Sequence, residues 1–181
     1  MKRGLMIMAL AAASLSASTL YAQGAPSGTP STADAVRQAY NQVKTNITKA
    51  ADKMAEADYT FKPTPEQMTF GGWIAHVTTA QTAICSRAAG TPQTPGPAKT
   101  TKADLQAALA DSFKICDAAY AALTDANGNE SVASFRGNTT RVAALTGNTA
   151  HDNEVYGSIA VYLRLKGIVP PSTEAAAARG R

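Results

Sequence analysis

Phe70-Gly71-Gly72-Trp73-Ile74-Ala75-His76-Val77 sets an apolar stripe, Phe70, Trp73 and Val77, at helical spacing, with a histidine on its edge. Thr69 stands where a helix N-cap belongs, and the stripe runs on through Ile84 and Ala88. Upstream, Pro63 and Pro65 bar a continuous helix through Asp58 to Met68. Before them Val36, Tyr40, Val43, Ile47, Ala50 and Met54 recur at steps of three and four, predicting a first helix from Ser31 or Thr32 to about Ala57. Downstream, Gly90 to Thr100 carries three prolines and two glycines and reads as an extended connection. Thr101-Lys102-Ala103-Asp104 resembles a capping box and opens a third helix, with Leu105, Leu109, Phe113, Cys116, Tyr120 and Leu123 inward. Asn127-Gly128-Asn129 marks a turn, and Thr139 or Thr140 starts a fourth helix. Its inward residues are Leu145, Val155, Tyr156, Ile159, Tyr162 and Leu163, and Gly167 with Pro170-Pro171 stops it. No segment alternates as a half-buried strand does. The fold class is all-α, a four-helix bundle.

Lys2-Arg3, the apolar run from Leu5 to about Leu20 and Tyr21-Ala22-Gln23 read as a secretory leader cleaved after Ala22. The layout is then leader 1–22, flexible linker 23–30, bundle 31–171 and a C-terminal tail 172–181, Ala-rich but without a stripe to bury and so expected to fray. Such a chain is secreted or periplasmic and has no membrane span after cleavage. Losing Lys2 and Arg3 takes the balance from 17 basic and 13 acidic residues to 15 and 13, a net charge of +2. With no basic helix face or Lys/Arg cluster, nucleic acid is excluded as a partner. The remaining residues suffice for one domain with one core, and a homodimer is compatible with them.

His76 and His151 are the only histidines. Each lies at the edge of an apolar stripe, where two helices of one bundle can bring both imidazoles to a common point inside it. Cys85, nine residues after His76, is turned about 180° around the same helix, so the two cannot form a dyad and must face different neighbours. Cys85 and Cys116 each lie about 15 residues into their helices, at one height only if the second and third helices run parallel. The Gly90 to Thr100 connection is long enough to span the bundle and allow it. In an oxidising compartment a Cys85–Cys116 disulfide is preferred over two buried thiols.

Lys62-Pro63-Thr64-Pro65, Phe70-Gly71 followed by His76, His151 with Glu154 and Tyr156-Gly157, and the ending Tyr162-Leu163-Arg164-Leu165-Lys166-Gly167-Ile168-Val169-Pro170-Pro171 resemble the DinB-like superfamily, and within it the exported members. The resemblance covers roughly Ala33 to Ser172. It implies an up-down-down-up bundle with long connections and a divalent metal site (zinc, nickel or iron) built from one histidine on the second helix and two, spaced His-x3-His, on the fourth. His76 and His151 match two of these positions, but the third is Val155, which cannot coordinate a metal. A carboxylate can replace an imidazole. At about 100° per residue Asp152 falls within the inward arc of the fourth helix and Glu154 beyond it, so Asp152 is the candidate, as a ligand or as a hydrogen-bond partner of Asn148, a tyrosine hydroxyl or water.

Two functions follow. In one, the metal site is degenerate and the bundle is a non-catalytic small-ligand-binding or scaffold protein, with Asn148, Val155, Tyr156 and Tyr162 around the pocket. In the other, His76, His151 and Asp152 hold a divalent ion that activates water or a thiol, for hydrolysis or group transfer. Gly147 and Gly157 are read as points of close helix approach.

Overall fold

The computed structural model describes residues 28–180; the leader and most of the linker read from the sequence lie outside the described residues. Helices α1 (Thr32–Lys53), α2 (Phe70–Ala88), α3 (Lys102–Ala121) and α4 (Arg141–Leu165) form the bundle, and a shorter helix, α5 (Pro171–Arg179), follows. Each bundle helix begins on a hydroxyl. Ser31 Oγ accepts the Asp34 amide, Thr69 Oγ1 that of Gly72, Thr101 Oγ1 that of Asp104 and Thr140 Oγ1 that of Ala143. Each such bond satisfies an otherwise orphaned donor and is worth about 1 kcal/mol.

Contacts between the helices set their directions. Gln81 meets Ser112 and Cys85 meets Cys116, so positions on α2 and α3 advance together and the two run parallel. Arg37 meets Leu123 while Asp52 meets Gln106, which makes α1 antiparallel to α3. Arg141 reaches Ala88 while Tyr162 reaches Met68, which makes α4 antiparallel to α2. The order is therefore up-down-down-up. The stripes read from the sequence meet in one core in which Tyr40, Ile47, Phe70, Ile74, Leu145 and Ile159 are fully or almost fully buried. At its centre Tyr40 stacks on Tyr120, ring centroids 3.8 Å apart.

Four expectations are corrected. Helix α1 ends at Lys53, not near Ala57: Met54 turns to an extended conformation, and Lys102 reaches across from α3 to the carbonyls of Asp52 and Met54, taking up acceptors the helix leaves open. Between α3 and α4 lies a β-hairpin, β1 (Ser131–Ser134) and β2 (Gly137–Thr140), paired antiparallel with Val132 opposite Thr139. Gly137, at φ 101°, supplies the left-handed residue that closes its turn. The C-terminal stretch does not leave the bundle at Ser172. Tyr156 Oη bonds the amide and hydroxyl of Ser172, and Lys53 pairs with Glu174, holding the first turn of α5 on the core. Finally, an added Cβ at Gly147 or Gly157 would meet nothing within 4 Å, whereas at Gly71 it would lie 3.1 Å from Leu105 and 3.2 Å from the Tyr59 carbonyl. The close approach is at Gly71.

Candidate functional site

Helices α2 and α4 bring the two histidines together. His76 Nε2 lies 3.0 Å from His151 Nε2. The rings are not enclosed by the bundle: His76 is exposed and the His151 side chain 26% exposed, because both sit on the rim of their stripes and meet across the outer lip of the α2–α4 interface. Trp73, one turn before His76, packs edge-on against it with centroids 6.0 Å apart.

Behind the rings the site becomes a buried polar chain. Asp152 is wholly inaccessible to solvent, and its Oδ1 lies 3.3 Å from His151 Nδ1. Its Oδ2 accepts from Gln81 Nε2 at 3.0 Å and Asn148 Nδ2 at 3.2 Å. Gln81 Oε1 is 3.0 Å from Ser112 Oγ on α3. Asn148 also reaches Tyr120 Oη, which in turn donates to the Leu145 carbonyl at 2.6 Å. Three helices are thus tied by polar side chains through one carboxylate. One tautomer pair satisfies both contacts: a neutral His151 with its proton on Nδ1 toward Asp152 accepts at Nε2 from His76 Nε2–H.

Asp152 therefore stands behind His151, orienting the ring, and does not face the point on which the two Nε2 atoms converge. Val155, one turn after His151, is 3% exposed and belongs to the apolar core. The remaining candidates are dispersed. Tyr156 serves α5, and Tyr162 Oη bonds the Met68 carbonyl at 2.6 Å beside the start of α2. Only Asn148 adjoins a sizeable cavity, a cleft of about 510 Å³ between the hairpin, α2 and α4. Sequence reasoning misses Gln81 and Ser112, although each falls on its helix's apolar stripe, Gln81 four residues after Val77 and Ser112 three after Leu109, and it misses the cleft residues contributed by the hairpin.

Among the described residues no group of three or more His, Cys, Asp or Glu side chains is arranged to hold a metal ion. The donor set that converges is two imidazoles, one fewer than the three protein ligands that catalytic zinc sites retain. On the opposite side of α2, Cys85 is joined to Cys116 of α3 by a disulfide. No helix among the described residues is long and apolar enough to cross a membrane.

The DinB superfamily profile matches residues 39–154, which contain both histidines, both cysteines and Asp152. The chain belongs to the DinB superfamily. Its fold is similar to that of a DinB-like protein from Bacillus cereus, at 19% identity and a TM-score of 0.64 over 75% of this chain and 93% of that one. It is also similar to a DinB-like protein from Bacillus subtilis, at 18% identity and a TM-score of 0.60 over 74% of this chain and 92% of that one. At these identities the likeness is one of fold. No curated protein matches the chain. The matched span includes the pair of histidines across α2 and α4 and the carboxylate behind them.

Desolvation of the His76 ring, reinforced by the second imidazole beside it, holds its pKa below the usual histidine value against the opposing pull of Asp152 and Glu154. The folded-state pKa lies below the unfolded one, so the unfolded chain binds more protons in between. His76's contribution to stability is full above the unfolded pKa, about 6.5, and is lost as pH falls through the folded value. NMR titration should place His76 below that value, and His76→Gln should flatten the acid limb of the stability profile. A His76 that titrates above it would contradict the close approach of the two imidazoles.

Proposed function

We propose that this chain is an exported DinB-family bundle that binds a small molecule without metal chemistry, its histidine pair remaining from a three-histidine site. Val155 carries this reading. It lies four residues after His151, on the same side of α4, and its buried aliphatic side chain offers no donor. Asp152 does not make up the set, being engaged by His151 Nδ1, Gln81 and Asn148. The leader-like start, Lys2-Arg3 before an apolar run, supports export, and a disulfide in a two-cysteine chain accords with an oxidising compartment.

One observation favours the alternative, a divalent-metal-dependent hydrolase or thiol transferase. Two nitrogen ligands of a tetrahedral zinc lie roughly 3.3 Å apart, given Zn–N bonds of about 2.0–2.1 Å. The observed 3.0 Å is close to that, and a carboxylate behind a histidine is a common orienting partner at metal sites. Metal analysis of protein purified without a His tag separates the two. The natural chain should retain well under one equivalent of zinc, nickel or iron, and Val155→His should approach one. Stoichiometric metal in the natural protein, lost on His76→Ala, would establish the alternative.

A further inference from the structure

We infer that the cleft between the hairpin, the C-terminal half of α2 and the first turns of α4 is a binding site for a small organic carboxylate that carries an apolar body. This rests on the reading of the chain as a ligand-binding bundle and gives it a place and a ligand class. The cleft is separate from the histidine rim: neither His76 nor His151 lines it. At about 510 Å³ it falls within the range of small-molecule sites.

Its charge is one-sided. Arg87 of α2 and Arg136 at the hairpin tip both line it, no acidic side chain does, and neither guanidinium has a carboxylate partner among the described residues. Arg87 is held for the purpose: Nη1 donates to the Ala83 carbonyl at 2.8 Å, and the guanidinium lies 4.4 Å from the centroid of the Phe135 ring. Its other N–H groups have no protein acceptor among the described residues, and a planar fork of this kind matches a carboxylate. Phe135, 67% exposed, also lines the cleft. With Ile84 and the alanines of α4 it gives the cleft an apolar wall.

Asn148 closes the inner end of the cleft but is fully buried, with its amide hydrogens on Asp152 and Tyr120, and offers an occupant no exposed polar atom. An anion and an apolar body describe the occupant.

The test is calorimetric titration of the protein with 3-phenylpropanoate, its amide, and propanoate, which lacks the ring. The acid should bind, the amide roughly tenfold more weakly, and propanoate more weakly than the phenyl acid. Arg87→Gln and Arg136→Gln should each weaken the acid at least severalfold. Gly147→Leu, built where an added Cβ meets nothing, should abolish binding while leaving the thermal melt unreduced. Equal binding of acid and amide, indifference to Arg87→Gln, or no response to any of the three probes would each overturn the site. Metal analysis keeps the two readings apart: a metal-loaded protein that still prefers the acid overturns only the metal-free function, and a metal-poor protein that shows no preference overturns only this site.

Discussion

Asp152→Ala should destabilise the protein by about 3 kcal/mol or more, measured as a shift of the urea midpoint at neutral pH. The carboxylate is wholly buried and accepts hydrogen bonds from Gln81, Asn148 and His151, on two different helices. Removing it leaves the amide hydrogens of Gln81 and Asn148 buried, at about 1–3 kcal/mol for each group that finds no new acceptor. Desolvation works the other way. Burial pushes the Asp152 pKa above the usual carboxylate range, only partly offset by His151, Gln81 and Asn148. The folded-state value exceeds the unfolded one, so the group's contribution is full below about pH 3.9 and is lost as pH rises through the folded pKa. Asp152→Asn keeps an oxygen for the two amides and sheds the charge. It should therefore cost far less than the alanine at neutral pH, and the wild type should gain on it as the pH is lowered. If the alanine costs under about 1 kcal/mol, or the two variants behave alike, the buried chain from Ser112 to His151 does not hold the helices as described.

What made the bundle readable in the sequence is that its signals are local. A hydroxyl ahead of an apolar stripe is a helix start wherever it occurs, and Ser31, Thr69, Thr101 and Thr140 all take that part. The hairpin carries no comparable signal: each strand has four residues, and only Val132 is buried. Helix α5 is hidden for another reason. It is held by Tyr156 and Lys53, residues 16 and 121 positions away from their partners, and no periodicity encodes such contacts. The site divides in the same way. Wheel arithmetic places Asp152 inward because direction around a helix is fixed by sequence number. It does not distinguish the rim from the interior, which depends on how closely α2 and α4 approach, so it sets the histidines deeper than they lie. Gln81 and Ser112 stand as polar residues at inward positions of the stripes, but what they bond is not legible until the carboxylate is in view.

The disulfide should prove the other large contributor: Cys85→Ala with Cys116→Ala should cost about 3–4 kcal/mol, the loop-closure value for 31 residues. The segment it encloses explains why so much depends on it. Parallel neighbours cannot be joined by a short turn, and residues 89–101 cross the length of the bundle almost entirely exposed, anchored near their start by Ser86 through the amides of Thr91 and Gln93. Opening the crosslink therefore releases a long, weakly held loop whose ordering packing alone must then offset. Both cysteines are wholly buried, so reductant should act slowly on the folded protein and quickly once denaturant opens it. Cys85 lies one turn beyond Gln81, and Cys116 one turn beyond Ser112, making the crosslink and the polar chain neighbouring rungs between α2 and α3. Combining the cysteine pair with Asp152→Ala should accordingly give a loss that departs from the sum of the two by about 0.5 kcal/mol or more. Simple additivity would mean that the two rungs secure the helices independently, and a double-alanine variant within about 1 kcal/mol of the wild type would mean that the long connection is ordered without its crosslink.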